Sequence, residues 1–180
     1  MSWLKNMMEA EPPESMNPIA TVVIGNIEPD MHDTAKEAVR KALKRAGFRT
    51  VDAGKSVPID VFIQKIQENN ASILALSINT VPAKNKLEQL VCALQDAGLA
   101  NRVKIIMGGA AVKREDADAV GALFGKNKEE APEIAMRALS IVAASAPSIY
   151  CGACGNPNPN GYRFCGKCGK PLQEQQTRVY

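Results

Sequence analysis

The chemistry-bearing residues of this chain fall into two groups. The first is a run of four cysteines near the carboxyl end, Cys151-Gly-Ala-Cys154-Gly and Cys165-Gly-Lys-Cys168-Gly, with ten residues between the pairs. Each pair can turn a knuckle in which two thiolates chelate one metal and the following glycine permits the tight backbone turn. Four thiolates in a tetrahedral array suit Zn²⁺ and close its coordination shell, which points to a structural site. Two disulfides, an iron site or an iron–sulfur cluster are the competing readings, and clustered cysteines without a secretion signal favour metal over disulfides. The connector NPNPNGYRF is turn-forming and has almost no apolar residues of its own, so metal binding would have to supply its folding energy.

The second group is scattered along the chain. It comprises Asp30, Met31, His32, Asp33, Thr34 and Ala35, then Ser77, Asn79 and Thr80, then Gly108 and Gly109. A lone histidine in a loop is commonly a solvated residue or a helix-cap partner, Asp33 reads mainly as a helix N-cap, and a glycine pair can be only a strand-to-helix turn. Taken together they offer more: an imidazole able to ligate a metal, a carboxylate two residues before it to orient the ring, a hydroxyl, and glycines that let a flat ligand approach the backbone.

What must position them is an alternation of strands and helices. Ile19–Gly25 (IATVVIG) is a nearly continuous apolar run, as in a strand buried on both faces. A helix follows over 34–46 with Ala35, Val39, Ala42, Leu43 and Ala46 on one face, ended by Gly47. Arg49–Ala53 is a strand, 58–69 a helix, Ser72–Ser77 a strand, 82–97 a helix stopped by Gly98, and Val103–Met107 a strand running into the glycine pair. A helix near 113–120, a brief strand near 121–124 and a last helix over about 129–145 complete the series. Such alternation implies an α/β, flavodoxin-like, doubly wound five-stranded parallel sheet in the order 2-1-3-4-5. In that order the loops carrying His32, Ser77 and Gly108 are neighbours at the carboxyl ends of the strands, where open α/β sheets bind ligands. Cys92, on the 82–97 helix, is expected as a small core residue.

The expected organisation is a short N-terminal segment (1–18), the α/β domain (19–145), the zinc ribbon (146–172) and a disordered polar tail (173–180). Aromatics make up only 4% of 180 residues, so the core must be aliphatic, which suits helices on a parallel sheet. The net charge of +3 resides entirely from residue 147 onward, with four basic residues and one acid. No global field favours nucleic acid, and the ribbon's basic residues read as solubilising. Neither a signal peptide nor a stretch near the roughly 20 apolar residues of a membrane span is present, so the expected compartment is the reducing cytoplasm. Trp3, Leu4, Met7 and Met8 share a helical stripe at the amino end, expected to be a frayed terminus rather than a cover for the site.

On Asp30-x-His32-x-x-Ala35, Ser77-x-Asn79 and Gly108-Gly109 the chain resembles the B12-binding domain of corrinoid proteins, such as methionine synthase and the corrinoid carriers of methyltransferase systems. The family pattern is Asp-x-His-x-x-Gly, Ser-x-Leu and Gly-Gly, and the likeness covers about residues 19–145. The resemblance implies cobalamin or a related corrinoid as cofactor, bound with its base displaced and His32 as the lower ligand of cobalt. It further implies that Asp30 steadies the ring, that Ser77 extends that relay, and that a glycine-lined channel takes the nucleotide tail. The implied function is a methyl carrier between methyltransferase proteins, a subunit rather than a complete enzyme. A corrinoid sensor or store, or a cofactor-free interaction module, are the alternatives. Ala35 stands where the family has glycine and Asn79 where it has leucine, and the hydroxyl beyond is matched only by Thr80. An added carbon or two costs roughly 1–3 kcal/mol where nothing relaxes.

Overall fold

The computed structural model describes residues 11–145, 148–154, 157–159, 168, 170 and 171. The stripe of Trp3, Leu4, Met7 and Met8, the tail from 173, and Cys165 lie outside the described residues. The chain divides into two units, Met1–Val142 and Ala143–Tyr180.

The first unit holds β1 (Thr21–Ile27), α1 (Thr34–Arg45), β2 (Arg49–Val57), α2 (Ile59–Glu68), β3 (Ile73–Ser77), α3 (Val81–Lys84), α4 (Leu87–Asp96), β4 (Lys104–Gly108), α5 (Arg114–Ala119) and β5 (Leu123–Phe124). The helix α6 (Ala131–Ser145) follows. The strands are all parallel and lie in the order β2-β1-β3-β4-β5. This is the expected order. The first strand runs two residues later than its apolar pattern suggests, and β2 runs on to Val57.

Side chains alternate between the two faces of the sheet. Val22, Ile24, Ile73, Ala75 and Ile106 bury one face beneath Leu43 of α1 and Ala131, Ile134, Ala135 and Ala138 of α6. Val23, Ile27, Leu74, Leu76 and Met107 bury the other against Phe62 and Ile66 of α2 and Leu87, Leu90 and Leu94 of α4. Both faces are covered by helices, so the strands read as continuous apolar runs.

Two expectations are corrected. The helix expected over 82–97 is broken into α3 and α4. Lys86 donates to Ala83 three residues back, a tight turn that realigns the second piece. Cys92 is exposed, not in the core. Leu87, Leu90 and Leu94 define the inward face of α4, and Cys92, two residues from Leu90, points away from it.

The second unit contains the antiparallel pair β6 (Ser148–Tyr150) and β7 (Pro157–Pro159), with Ser148 opposite Pro159 and Tyr150 opposite Pro157. No described helix is long and apolar enough to cross a membrane.

Candidate functional site

The loop from β1 to α1 is pinned before any ligand arrives. The Asp30 amide donates to Ile27 O at 2.9 Å, and its carbonyl accepts from the Ser56 amide at 2.8 Å. Its side chain is fully buried. One carboxylate oxygen accepts from the His32 amide at 3.0 Å and pairs with His32 Nδ1 at 2.8 Å. The other accepts from the Asn79 amide at 2.6 Å and the Asn79 side-chain nitrogen at 3.2 Å. Burial pushes the Asp30 carboxyl up, but donors from His32, Asn79 and Asn26 outweigh it and hold the group below the ordinary carboxylate range. An ionised Asp30 only accepts, so Nδ1 carries a hydrogen, and in the neutral ring Nε2 is left with its lone pair. The His32 side chain is 65% exposed, and among the described residues Nε2 has no partner.

Asn79 stands between Asp30 and Ser77. Its side-chain nitrogen reaches Ser77 Oγ at 3.2 Å, so the serine meets the carboxylate through the amide rather than directly. Beneath them Asn26, also fully buried, donates to the Ser77 carbonyl at 2.9 Å. A polar residue inside the run VVIGNI was the sequence signal for this partner, since a buried amide requires one.

A cavity of about 570 Å³ opens at the same strand ends. Ile24, Ala75, Ile106 and Ile134 form its apolar wall, with Ala35, Ala38 and Val39 of α1 opposite. Ala35 and Ala38 of α1 and Ala131 of α6 are the small side chains on its lining. Its size falls within the range of small-molecule sites. Ser77, Asn79, Gly108 and Gly109 also line it. Ala35 is on the wall and exposed, so its extra methyl leaves the cavity open.

The two glycines are required by the protein itself. A Cβ on Gly108 would lie 2.5 Å from Gly125 O, and one on Gly109, at φ +126°, would lie 2.2 Å from Ile78 O. The loop after β5 also reaches the cavity with Gly125, Lys126 and Asn127. The strand-end rule that points to the other loops applies to this one equally.

Other expected site residues have different work. Asp33 occupies the N-cap position of α1, but its side chain makes no capping bond. It faces Lys36 at 3.0 Å and Lys55 at 3.5 Å instead. Thr80 caps α3, accepting from the Ala83 amide at 3.4 Å. Met31 and Thr34 are exposed. Lys36 is the unforeseen member. Its side chain is buried at the cavity wall, with Nζ 2.8 and 2.9 Å from the Asp52 oxygens. Desolvation pushes its ammonium down, and the bonds to Asp52 and Asp33 more than reverse this, so it is held charged.

A profile of the B12-binding domain matches residues 20–141. The chain belongs to the B12-binding domain family. A domain of unknown function matches residues 147–173. Among curated relatives, trimethylamine corrinoid protein 1 of Methanosarcina acetivorans is 39% identical over 129 residues, which are 71% of this chain and 59% of the relative. The chain thus spans about three-fifths of the length of that relative. A solved cobalamin-binding protein from Desulfitobacterium hafniense superimposes with a TM-score of 0.63 at 32% identity, covering 66% of this chain and 58% of that one. The methanol:cobalamin methyltransferase complex of Methanosarcina barkeri matches with a TM-score of 0.65 at 23% identity, covering 77% and 52%, and shares the fold.

A corrinoid fits the residues present. Imidazole Nε2 is a suitable cobalt donor, fixed from behind by a carboxylate, and the apolar cavity suits an aromatic base. In the second unit the sulfurs of Cys151, Cys154 and Cys168 lie within 4.8 Å of one another, and Cys151 Sγ is 3.6 Å from Cys168 Sγ. Amides of Ala153 and Cys154 point at the Cys151 sulfur and hold its thiol below the ordinary range, as a thiolate ligand requires.

Proposed function

We propose that this chain binds cobalamin or a related corrinoid with His32 as the lower ligand of cobalt, and carries a methyl group between methyltransferase partners. The observation that supports this best is the 2.8 Å pairing of His32 Nδ1 with a fully buried, ionised Asp30 beside the strand-end cavity. That arrangement leaves one ring nitrogen free for metal and none for a competing tautomer. The corrinoid, when bound, supplies the organometallic chemistry of methyl transfer. The protein's share is to hold the ring, keep Asp30 ionised, and receive the displaced base among Ile24, Ala75, Ile106 and Ile134. The matched relatives, named as corrinoid proteins, support the carrier role, and the named methyltransferase complex with the same fold is compatible with it.

The test is direct. Protein grown on ¹⁵N-histidine is loaded with cob(II)alamin and its electron paramagnetic resonance recorded. Coupling to a single ¹⁵N nucleus is expected, and is lost in His32→Ala. Coupling to the ¹⁴N of the corrinoid's own base in the wild type would overturn the reading. Methyl transfer with a methyltransferase encoded beside this chain then separates a carrier from a store.

The second unit is proposed as a zinc ribbon held by Cys151, Cys154, Cys165 and Cys168, a rigid appendage rather than a reactive centre. Three of the four sulfurs already converge. Metal analysis should find about one zinc per chain, and metal-free protein purified without chelators or oxidation would sink it.

A further inference from the structure

Asn79 departs from the leucine of the family pattern, yet its side chain is among the most fully engaged in the site. Its nitrogen donates toward Asp30 at 3.2 Å and toward Ser77 Oγ at 3.2 Å. Its oxygen accepts from the Ala110 amide at 3.2 Å. Its own backbone amide donates to the same Asp30 oxygen at 2.6 Å. One carboxamide therefore ties together the β1–α1 loop, the end of β3 and the glycine loop after β4. A leucine offers no donor and no acceptor, so it could make none of the three side-chain contacts.

We propose that Asn79 is a positioning residue that acts on His32 through Asp30, fixing the imidazole in one tautomer and orientation before any cofactor binds. His32 itself sits on an exposed loop, and among the described residues its backbone amide and its ring both bond to Asp30. Fixing Asp30 from its far oxygen limits how far the carboxylate can rotate, and hence how far the ring can swing. The same amide closes the gap to Ala110, so the cavity's rim and the histidine are set by one side chain. Pre-organisation of this kind lowers the ordering cost of binding. That His32 meets cobalt rests on the proposed function above; the restraint on its ring does not.

Two variants separate the arms of the clamp. Asn79→Leu installs the family residue and removes all three side-chain contacts. Asn79→Asp keeps the acceptor for Ala110 but turns the donor toward Asp30 into a repelling oxygen. The first readout is the apo protein with ¹⁵N-histidine, whose ring-nitrogen shifts report the tautomer. The wild type should show one tautomer with hydrogen on Nδ1, and both variants should show a mixture. The second is cobalamin uptake, expected to weaken roughly tenfold in both, as for loss of a hydrogen bond to a charged group. Ring shifts unchanged in both variants would overturn the proposal. So would a fall in melting temperature with ring shifts unchanged, which marks a merely structural role. A wild type that takes up no cobalamin would remove the proposed function, and the apo ring shifts would still decide the part played by Asn79.

Discussion

The two units achieve their form by different means. The α/β unit encloses two aliphatic cores, one on each face of its sheet, and its site is fixed by hydrogen bonds among its own residues. The second unit has three-residue strands, and cysteine sulfurs converge there. Its sequence between the cysteine pairs is GNPNPNGYRF, poor in aliphatics. The site of the first unit rests on hydrogen bonds among its own residues. The second, as the zinc ribbon proposed above, would draw its folding energy from an ion.

Removing the ion is the strongest way to test that contrast. A structural zinc in a small cysteine site contributes on the order of 10–16 kcal/mol of apparent folding energy. Chelation, or Cys151→Ser with Cys154→Ser, should unfold the second unit completely. The sites that limited proteolysis gains should then lie beyond Ala143, and the main calorimetric transition of the α/β unit should stay where it was. A main transition that shifts with the metal would break the comparison, because the units would then be one cooperative structure.

Which parts of this were legible in the sequence follows from how local each signal is. The strand order came from apolar runs alternating with helical stripes, and β3 and β4 matched their patterns within a residue. The cysteine spacing and the neighbouring strand ends were equally readable. What escaped depends on register or tertiary partners. Cys92 was assigned by residue type, whereas the face of α4 is set by Leu87, Leu90 and Leu94. Lys36 was passed over because charged residues are exposed by default, although it occupies an inward position three before Val39 and seven before Leu43. Asn79 read as a departure from a pattern. Two of its three side-chain partners lie 49 and 31 residues away, at distances no local rule reaches.

Lys36 offers a sharper probe within the α/β unit. Its side chain is 2% exposed, while Asp33 and Asp52 are 42% and 40% exposed. Lys36→Met keeps the buried stem and deletes the charge. Breaking a fully buried pair costs about 3–5 kcal/mol, but half-exposed carboxylates regain water, so about 1–2 kcal/mol is expected. Urea unfolding should show the midpoint falling with the slope unchanged. Asp52→Asn should cost less, and the double variant less than the sum of the two, because they share one contact. Full additivity would mean that Lys36 and Asp52 do not stabilise the unit through their mutual contact.

The smallest effect concerns where the unit's own bonding fades toward the amino end. Glu11 accepts from Arg40 at 2.6 and 2.7 Å and from Lys44 at 2.7 Å, tying the N-terminal segment to α1. Those bonds, first Arg40 and then Lys44, lower its carboxyl from 4.5 to about 2. A folded value below the unfolded one means stability that is complete above about pH 5, shrinks as pH falls through 4.5, and is gone below about 2. Glu11 is 46% exposed, so solvent screening reduces the contribution to about 0.5–1 kcal/mol. Glu11→Gln should therefore lower the melting temperature slightly at pH 7, and the gap to wild type should narrow steadily as pH is brought down to 3. It should also narrow in high salt. A gap that is constant across pH would show that the segment is held by packing rather than by charge.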